Sequence, residues 1–174
     1  LRNRGYNELY KCDITTTEQE LNEYAKNCNF VFHLAGVNRP LNNEEYMSGN
    51  FDFTNKLLNL LKKHNNKSPI LITSSTQAKL DNPYGISKKA GEDLVFKYAK
   101  EEDIKVYVYR LTNVFGKWCK PNYNSVIATF CYNISHNLDI KINDKNTELN
   151  LIYIDDVIAT FINTMENKLD KSSK

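Results

Sequence analysis

Short apolar runs alternate with amphipathic segments along this 174-residue chain, and the alternation restricts the possible folds more than any other feature. The runs 29–35, 69–74 and 105–111 have the length and composition of strands that are buried on both faces of a sheet. Between them, residues 43–64 and 83–100 repeat apolar positions with helical spacing. We therefore expect an α/β fold in which right-handed crossovers build a doubly wound parallel sheet.

Polar residues at the helix starts support this assignment. Thr16 or Thr17 is expected to cap the first helix, with Glu20 in position for a capping box. Asn82 is expected to cap the helix whose first residue is Pro83. The remaining expected elements are a first strand at 8–12, a helix capped by Asn122 or Asn124 that ends near Ser135, a strand at 148–154, and a helix capped by Asp155 that ends near Asn167.

The composition excludes several classes of function. The formal net charge is +2, and this near balance argues against recognition of nucleic acid or a membrane surface through charge. No apolar run approaches ~18 residues, so we expect a soluble, cytoplasmic protein without a membrane span. We expect residues 1–167 to form one partial domain, followed by a polar tail at 168–174. The four cysteines lie far apart and predict reduced thiols without a metal site: Cys12, Cys28, Cys119 and Cys131.

A tyrosine and a lysine mark the start of one predicted helix. Tyr84 and Lys88 are four residues apart and therefore share a helix face. Ser75 follows the strand at 69–74, from where its hydroxyl can reach the same point. A nearby ammonium favours the phenolate, so Lys88 is expected to lower the pKa of Tyr84. Such a set suits proton transfer to or from a sugar or alcohol oxygen, with hydride supplied by a bound nicotinamide.

Five segments carry a resemblance to a known family. They are His-Leu-Ala-Gly at 33–36, Thr-Ser-Ser at 73–75, Tyr84-x-x-x-Lys88, Arg-Leu-Thr-Asn-Val-Phe-Gly at 110–116, and Tyr-Ile-Asp-Asp-Val at 153–157. In this order, they resemble the extended short-chain dehydrogenases/reductases, the NAD-dependent epimerase/dehydratase group, over about residues 29–160. The resemblance implies a Rossmann-like fold. Segments 37–40, 81–85 and 115–132 are further similar to capsular polysaccharide biosynthesis reductases, which join a reductase domain to a C-terminal cupin domain; nothing here resembles a cupin.

The resemblance implies an enzyme that reduces a 4-keto-UDP-N-acetyl-6-deoxyhexose with NADPH. Tyr84 would donate a proton to the C-4 oxygen, Lys88 would bind the nicotinamide ribose, and Ser75 would orient the keto oxygen. The expected partners are the nucleotide sugar and a second copy of the chain, which would dimerise through the helices that contain Phe51 and Tyr84. The other candidate residues are Asp13, Ala35, Gly36, Ser74 and Thr112 for the cofactor, and Arg39, Asn113, Lys117 and Lys120 for the substrate.

Two features leave alternatives open. The chain has no Gly-x-x-Gly-x-x-Gly turn, so we expect a truncated fold, without its first strand, that binds cofactor poorly. The resemblance favours NADP(H), whereas Asp13 is the type of residue that binds the ribose of NAD(H).

An epimerase or dehydratase of the same fold, or a non-catalytic nucleotide-binding fragment, also fits the motifs. A dehydratase usually has an acidic pair after the serine, and Thr76-Gln77 does not supply one.

Overall fold

The computed structural model describes residues 1–167. The chain divides into two compact units, Leu1–Arg110 and a second unit that begins at Leu111. Helices and parallel strands occur in both, which confirms the predicted α/β class. One partial reductase domain over 1–167 stays a prediction, and the predicted polar tail at 168–174 lies outside the described residues.

A three-stranded sheet forms the centre of the first unit. Its strands are β1 (Val31–His33), β2 (Ile70–Ser75) and β3 (Val106–Leu111), in the order β1-β2-β3. β1 and β2 are parallel, with Val31 opposite Ile70 and His33 opposite Ile72. The three strands fall within or next to the apolar runs that predicted them. Because β1 and β2 are parallel, their carboxyl ends lie at the same edge of the sheet, where ligands of such folds bind.

Four helical segments surround this sheet. They are α1 (Glu18–Asn27), α2 (Glu44–Met47), α3 (Phe53–Lys63) and α4 (Pro83–Glu102). The single helix predicted over 43–64 is interrupted, because a π-helical turn at Ser48–Asp52 separates α2 from α3. The capping box of Thr17 and Glu20 at α1 is confirmed, as is the Asn82 cap with Pro83 in the first turn of α4.

The core of the first unit lies between the helices and β2. α1 packs on α3, α3 packs on α4, and α4 packs on β2. Leu61 and Ile70 have no exposed surface, and burying a side chain of this size contributes about 1.5–3 kcal/mol. The buried residues of this cluster are Leu21, Ala25, Leu57, Leu58, Leu61, Ile70, Ile72, Val95 and Tyr98. This packing fixes α4 against the strand that ends at Ser75.

As far as residue 167, the second unit contains two strands and two helices. β4 (Asn113–Phe115) pairs in parallel with β5 (Leu151–Tyr153), and the helices are α5 (Val126–Ser135) and α6 (Ile154–Met165). α6 buries Val157, Phe161 and Ile162.

Three sequence-based assignments were wrong. No strand forms at 8–12, because a strand needs a neighbour for its backbone groups and no described strand pairs with this segment. Ser125, rather than Asn122 or Asn124, caps α5 by accepting a hydrogen bond from the Ala128 N–H at 3.2 Å. Asp155 does not cap α6; it lies in the first turn, where its charge favours the helix N-terminus.

Candidate active site

The turn between β2 and α4 brings the predicted catalytic residues together. After Ser75 the chain makes one 3₁₀ turn, Thr76–Lys79, and α4 then starts beside this turn. Asn82 Oδ1 accepts a hydrogen bond from the Gly85 N–H at 2.8 Å. A Cβ on Gly85 would lie 2.3 Å from the Gln77 carbonyl oxygen, so only glycine permits this close approach. The first turn of α4 is therefore held against the end of β2.

The Ser75 side chain, at the end of β2, interacts with the Tyr84 phenol. Tyr84 is half-buried, and its ring packs on Tyr46 with the ring centroids 5.6 Å apart. Burial raises the pKa of the Tyr84 phenol above its ordinary value, while the interaction with Ser75 acts in the opposite direction. Tyr84 is therefore a protonated phenol at neutral pH, which is the form that can donate a proton.

The expected lowering of the Tyr84 pKa by Lys88 was wrong for this structure. Burial of the phenol outweighs the effects that favour the phenolate. The Lys88 ammonium also has another partner, since its Nζ donates a hydrogen bond to the Thr73 carbonyl oxygen at 2.8 Å. Burial lowers the pKa of Lys88, and the charge of Glu92 opposes this effect.

Gly36 lies directly beside the Lys88 amine. A Cβ on Gly36 would be 3.3 Å from Lys88 Nζ and 2.7 Å from Asn50 Oδ1, so the missing side chain is what leaves room here. Gly36 and Ala35 follow β1 and are both exposed. The two residues predicted to contact the cofactor thus lie at the open end of β1, next to the predicted catalytic lysine.

Asn50 is a site residue that sequence reasoning missed. It lies in the π-helical turn and is only 4% exposed. Its side-chain amide donates to the Val37 carbonyl at 2.9 Å and to Ser87 Oγ at 3.0 Å, and its Oδ1 accepts from the Val37 N–H at 3.0 Å. Asn50 therefore ties the loop after β1 to α4. A polar residue seven positions before Leu57 on the apolar face of a predicted helix was the available signal.

His33 is a buried core residue, as predicted, and its polar contacts continue this network. Its Nε2 lies 2.7 Å from Thr54 Oγ1, which itself donates to the Asn50 carbonyl oxygen at 2.7 Å. The imidazole must then carry its proton on Nε2 in order to donate to Thr54. Burial, together with the charge of Lys88, lowers the pKa of His33 to about 4.

Two other predicted cofactor residues are the buried Ser74 and the exposed Asp13. Ser74 is 6% exposed, and its hydroxyl helps to lower the pKa of the Glu92 carboxylate, so its side chain faces α4. Asp13 does not end a strand; its carboxylate accepts hydrogen bonds from the backbone N–H and hydroxyl of Thr15 in the loop before α1. These bonds lower the pKa of Asp13. The cofactor roles of both residues stay predictions.

The remaining candidates lie mainly in the second unit. Thr112 is partly buried between β3 and β4, and Asn113 donates from its side chain to the Asn150 carbonyl at 3.3 Å. Lys117 Nζ pairs with Asp155 at 2.6 Å, and Lys120 Nζ lies 5.7 Å from the centroid of the Tyr123 ring. These four residues all belong to the second unit. Arg39 is an exposed residue of the loop after β1, in the first unit.

Within 1–167, no helix is both long and apolar enough to cross a lipid bilayer. Over the same residues, no group of three or more His, Cys, Asp or Glu side chains is arranged to hold a metal ion.

The chain has the parallel α/β fold that its motifs predicted, and it belongs to a family with this fold. The sequence model of the NAD dependent epimerase/dehydratase family matches residues 1–173. The family that the motifs suggested is therefore confirmed.

Individual relatives are also similar. Over 172 residues, the chain is 42% identical to a UDP-2-acetamido-2,6-beta-L-arabino-hexul-4-ose reductase of Pseudomonas aeruginosa, matching 99% of this chain and 46% of that protein. The structure of the present chain resembles that of the capsular polysaccharide assembling protein CapF from Staphylococcus aureus, with a TM-score of 0.79. The two are 47% identical, and the match covers 91% of this chain and 43% of CapF. The chain thus spans less than half the length of these relatives.

A third relative shows the fold alone. The UDP-glucuronic acid 4-epimerase of Bacillus cereus, solved in complex with UDP-glucuronic acid and NAD, matches with a TM-score of 0.78 at 21% identity, over 97% of this chain and 59% of the epimerase. Together with CapF, it confirms the Rossmann-like fold that the sequence predicted.

Proposed function

We propose that the protein containing this chain is an NAD(P)H-dependent reductase of a 4-keto-UDP-N-acetyl-6-deoxyhexose, an activated sugar for a surface polysaccharide. The observation that supports this most strongly is the placement of Tyr84, a neutral phenol, and Lys88 in the first two turns of α4, soon after the strand that ends at Ser75. The 42% identity to a hexul-4-ose reductase supports the substrate class.

The residues around Lys88 fit a dinucleotide cofactor. Gly36 has no side chain where a Cβ would approach Lys88 Nζ to 3.3 Å, which leaves open surface at the end of β1. An ammonium has three donors, and Lys88 uses one of them on Thr73, so two remain for ribose hydroxyls. When bound, the reduced nicotinamide would supply the hydride to the sugar C-4 carbon. Ala35 and Gly36 would lie against the cofactor.

Tyr84 would donate the proton that completes the reduction. A ketone that accepts hydride becomes an alkoxide, which is far more basic than a phenolate and removes the phenol proton. The raised pKa of Tyr84 keeps the proton in place until that point. Ser75 would hydrogen-bond the keto oxygen and hold it in line with the phenol.

The substrate and the cofactor type are the finer parts of the proposal. Thr112, Asn113, Lys117 and Lys120 are our candidates for contacts with the cofactor or the sugar diphosphate, together with Arg39 of the first unit. NADP(H) is the preferred cofactor because the resembling capsule reductases use it; Asp13 favours NAD(H). We further propose a homodimer in which α3 and α4 contact their counterparts.

The experiment is a product analysis of the full-length protein with a 4-keto-UDP-sugar and either NADPH or NADH. A reductase consumes one reduced nicotinamide for each sugar converted. An epimerase of the same fold changes the sugar with no net consumption of nicotinamide. No conversion with either nicotinamide, in a protein shown to be folded, would favour the non-catalytic alternative and contradict the proposal.

A further inference from the structure

A buried carboxylate lies one helical turn after Lys88. Glu92 is only 1% exposed, although it carries a charge. Both of its carboxylate oxygens accept hydrogen bonds from Arg110 of β3, with Nε to Oε1 at 2.8 Å and Nη2 to Oε2 at 2.6 Å. This is the bidentate geometry that makes arginine–carboxylate pairs strong and directional.

A buried charge at this position lowers the stability of the fold unless a partner compensates for it. Burying a carboxylate is unfavourable, and an ion pair repays the cost only when its geometry is good. Arg110 supplies that geometry and, against the effect of burial, the pKa of Glu92 stays below its ordinary value. An apolar side chain would fill the same space between α4 and β3 without this cost. The position therefore holds a permanent negative charge inside the first unit.

That charge lies on the same helix face as the Lys88 amine. Lys88 and Glu92 are four residues apart on α4, the spacing at which side chains of opposite charge attract each other. The other groups around Lys88 offer no negative charge: His33 of β1 is neutral, Tyr84 is a neutral phenol, and Thr73 of β2 offers a carbonyl oxygen.

Glu92 has cationic neighbours of its own. Arg110 of β3 forms the bidentate pair, and Lys89 on α4 also favours the carboxylate form. Lys89 is exposed and pairs with Asp93 on the solvent side of the helix. Arg110 is therefore the group that holds Glu92 in place, and Lys88 lies one helical turn before this ion pair.

We propose that Glu92, anchored by Arg110, is a positioning residue that keeps Lys88 protonated and its amine directed to the end of β2. The inference rests on the proposed function, in which the Lys88 ammonium binds the cofactor ribose. A neutral amine has one donor fewer and no charge, so it binds the ribose hydroxyls less well. Burial alone drives Lys88 toward this neutral form, and Glu92 counteracts it.

The test measures the protonation of Lys88 without cofactor or substrate. In the full-length protein, trace acetylation of lysines by acetic anhydride at a series of pH values, read by mass spectrometry, gives the pKa of each amine. In Glu92→Gln, which keeps the shape and removes the charge, we expect the Lys88 pKa to fall by about one unit or more. The matched control is Asp93→Asn, which removes an equal charge from the exposed neighbouring position and is expected to leave Lys88 unchanged.

Conservative variants separate this role from packing. Glu92→Asp keeps the charge one methylene further away, so the Lys88 pKa should fall less than in Glu92→Gln. If Glu92→Gln does not fold, the Lys88 pKa in Glu92→Asp tests the positioning role instead. Thermal unfolding shows which variants are folded. The same Lys88 pKa in wild type and in every folded Glu92 variant would overturn the inference and leave Glu92 a packing residue.

Activity of the full-length enzyme gives a second, independent readout. The high-pH limb of the rate profile should move to lower pH in Glu92→Gln by the same amount as the Lys88 pKa. A shifted Lys88 pKa in a protein with no reductase activity would support the positioning role and contradict the proposed function. Reductase activity together with an unchanged Lys88 pKa would support the proposed function and contradict the positioning role.

Discussion

The side-chain amide of Asn50 donates a hydrogen bond to the Ser87 hydroxyl at 3.0 Å, and this contact links the loop after β1 to the helix that carries Tyr84 and Lys88. Ser87 is fully buried and donates in turn to the Tyr84 carbonyl oxygen at 2.8 Å. One buried polar network thus positions both the exposed loop that contains Gly36 and the helix that contains Tyr84 and Lys88.

Replacing Asn50 by alanine should destabilise the first unit by about 2–4 kcal/mol, because three hydrogen bonds are lost and buried polar groups are left without partners. Urea unfolding of the full-length protein measures this change. Asn59→Ala on the exposed side of α3 is the matched control, with an expected change within about 0.5 kcal/mol. If both substitutions change the free energy of unfolding equally, the hydrogen bonds of Asn50 do not stabilise the first unit.

A methyl group at Gly36 should weaken cofactor binding. The added Cβ would meet Asn50 Oδ1 at 2.7 Å and Lys88 Nζ at 3.3 Å, so the network must shift. We expect Gly36→Ala to cost about 1–3 kcal/mol of stability and to raise the dissociation constant of the reduced nicotinamide, measured by its fluorescence. Leu34→Ala, at an exposed position of the same loop, should leave the constant unchanged. A Gly36→Ala protein that binds as tightly as wild type would refute the placement of the cofactor.

His33 should make the protein less stable in mild acid. Its pKa is lowered to about 4 in the folded chain, whereas the ordinary value in an unfolded chain is near ~6.5. Above that value both states are neutral and His33 has no effect; as pH falls below it, the unfolded state binds the proton first and stability declines. The loss approaches about 3 kcal/mol below pH ~4.

Urea unfolding at a series of pH values, compared between wild type and His33→Asn, isolates this contribution. The difference between the two proteins should shrink as the pH falls, because only wild type has the buried imidazole to protonate. His136→Asn, at an exposed histidine, serves as the control. A pH dependence that is identical in wild type and His33→Asn would contradict the assignment.

The parts of the fold that sequence could predict are those set by local chemistry. Thr17 with Glu20, and Asn82 with Pro83, place helix starts through contacts within four residues, and the structure has both. The strand that ends at Ser75 was recognisable from its apolar run. Tyr84 and Lys88 were expected at the start of the following helix, and α4 contains both.

The parts that could not be predicted depend on distant contacts. The π-helical turn contains Asn50. The side chain of Asn50 forms hydrogen bonds with Val37 and Ser87, which are 13 and 37 positions away in the sequence. The raised pKa of Tyr84 results from burial, which no spacing rule reports. The strand expected at 8–12 has suitable residues and lacks a described partner strand.

Replacing Tyr84 by phenylalanine tests whether this residue donates the proton. The substitution removes one hydroxyl and keeps the ring on Tyr46, so folding and cofactor binding should be retained. In the full-length protein, we predict that the turnover rate for a 4-keto-UDP-sugar falls by at least ~100-fold, as expected for loss of a general acid. Tyr24→Phe, in α1, should keep full activity. A Tyr84→Phe enzyme that retains turnover within about threefold of wild type would contradict the account.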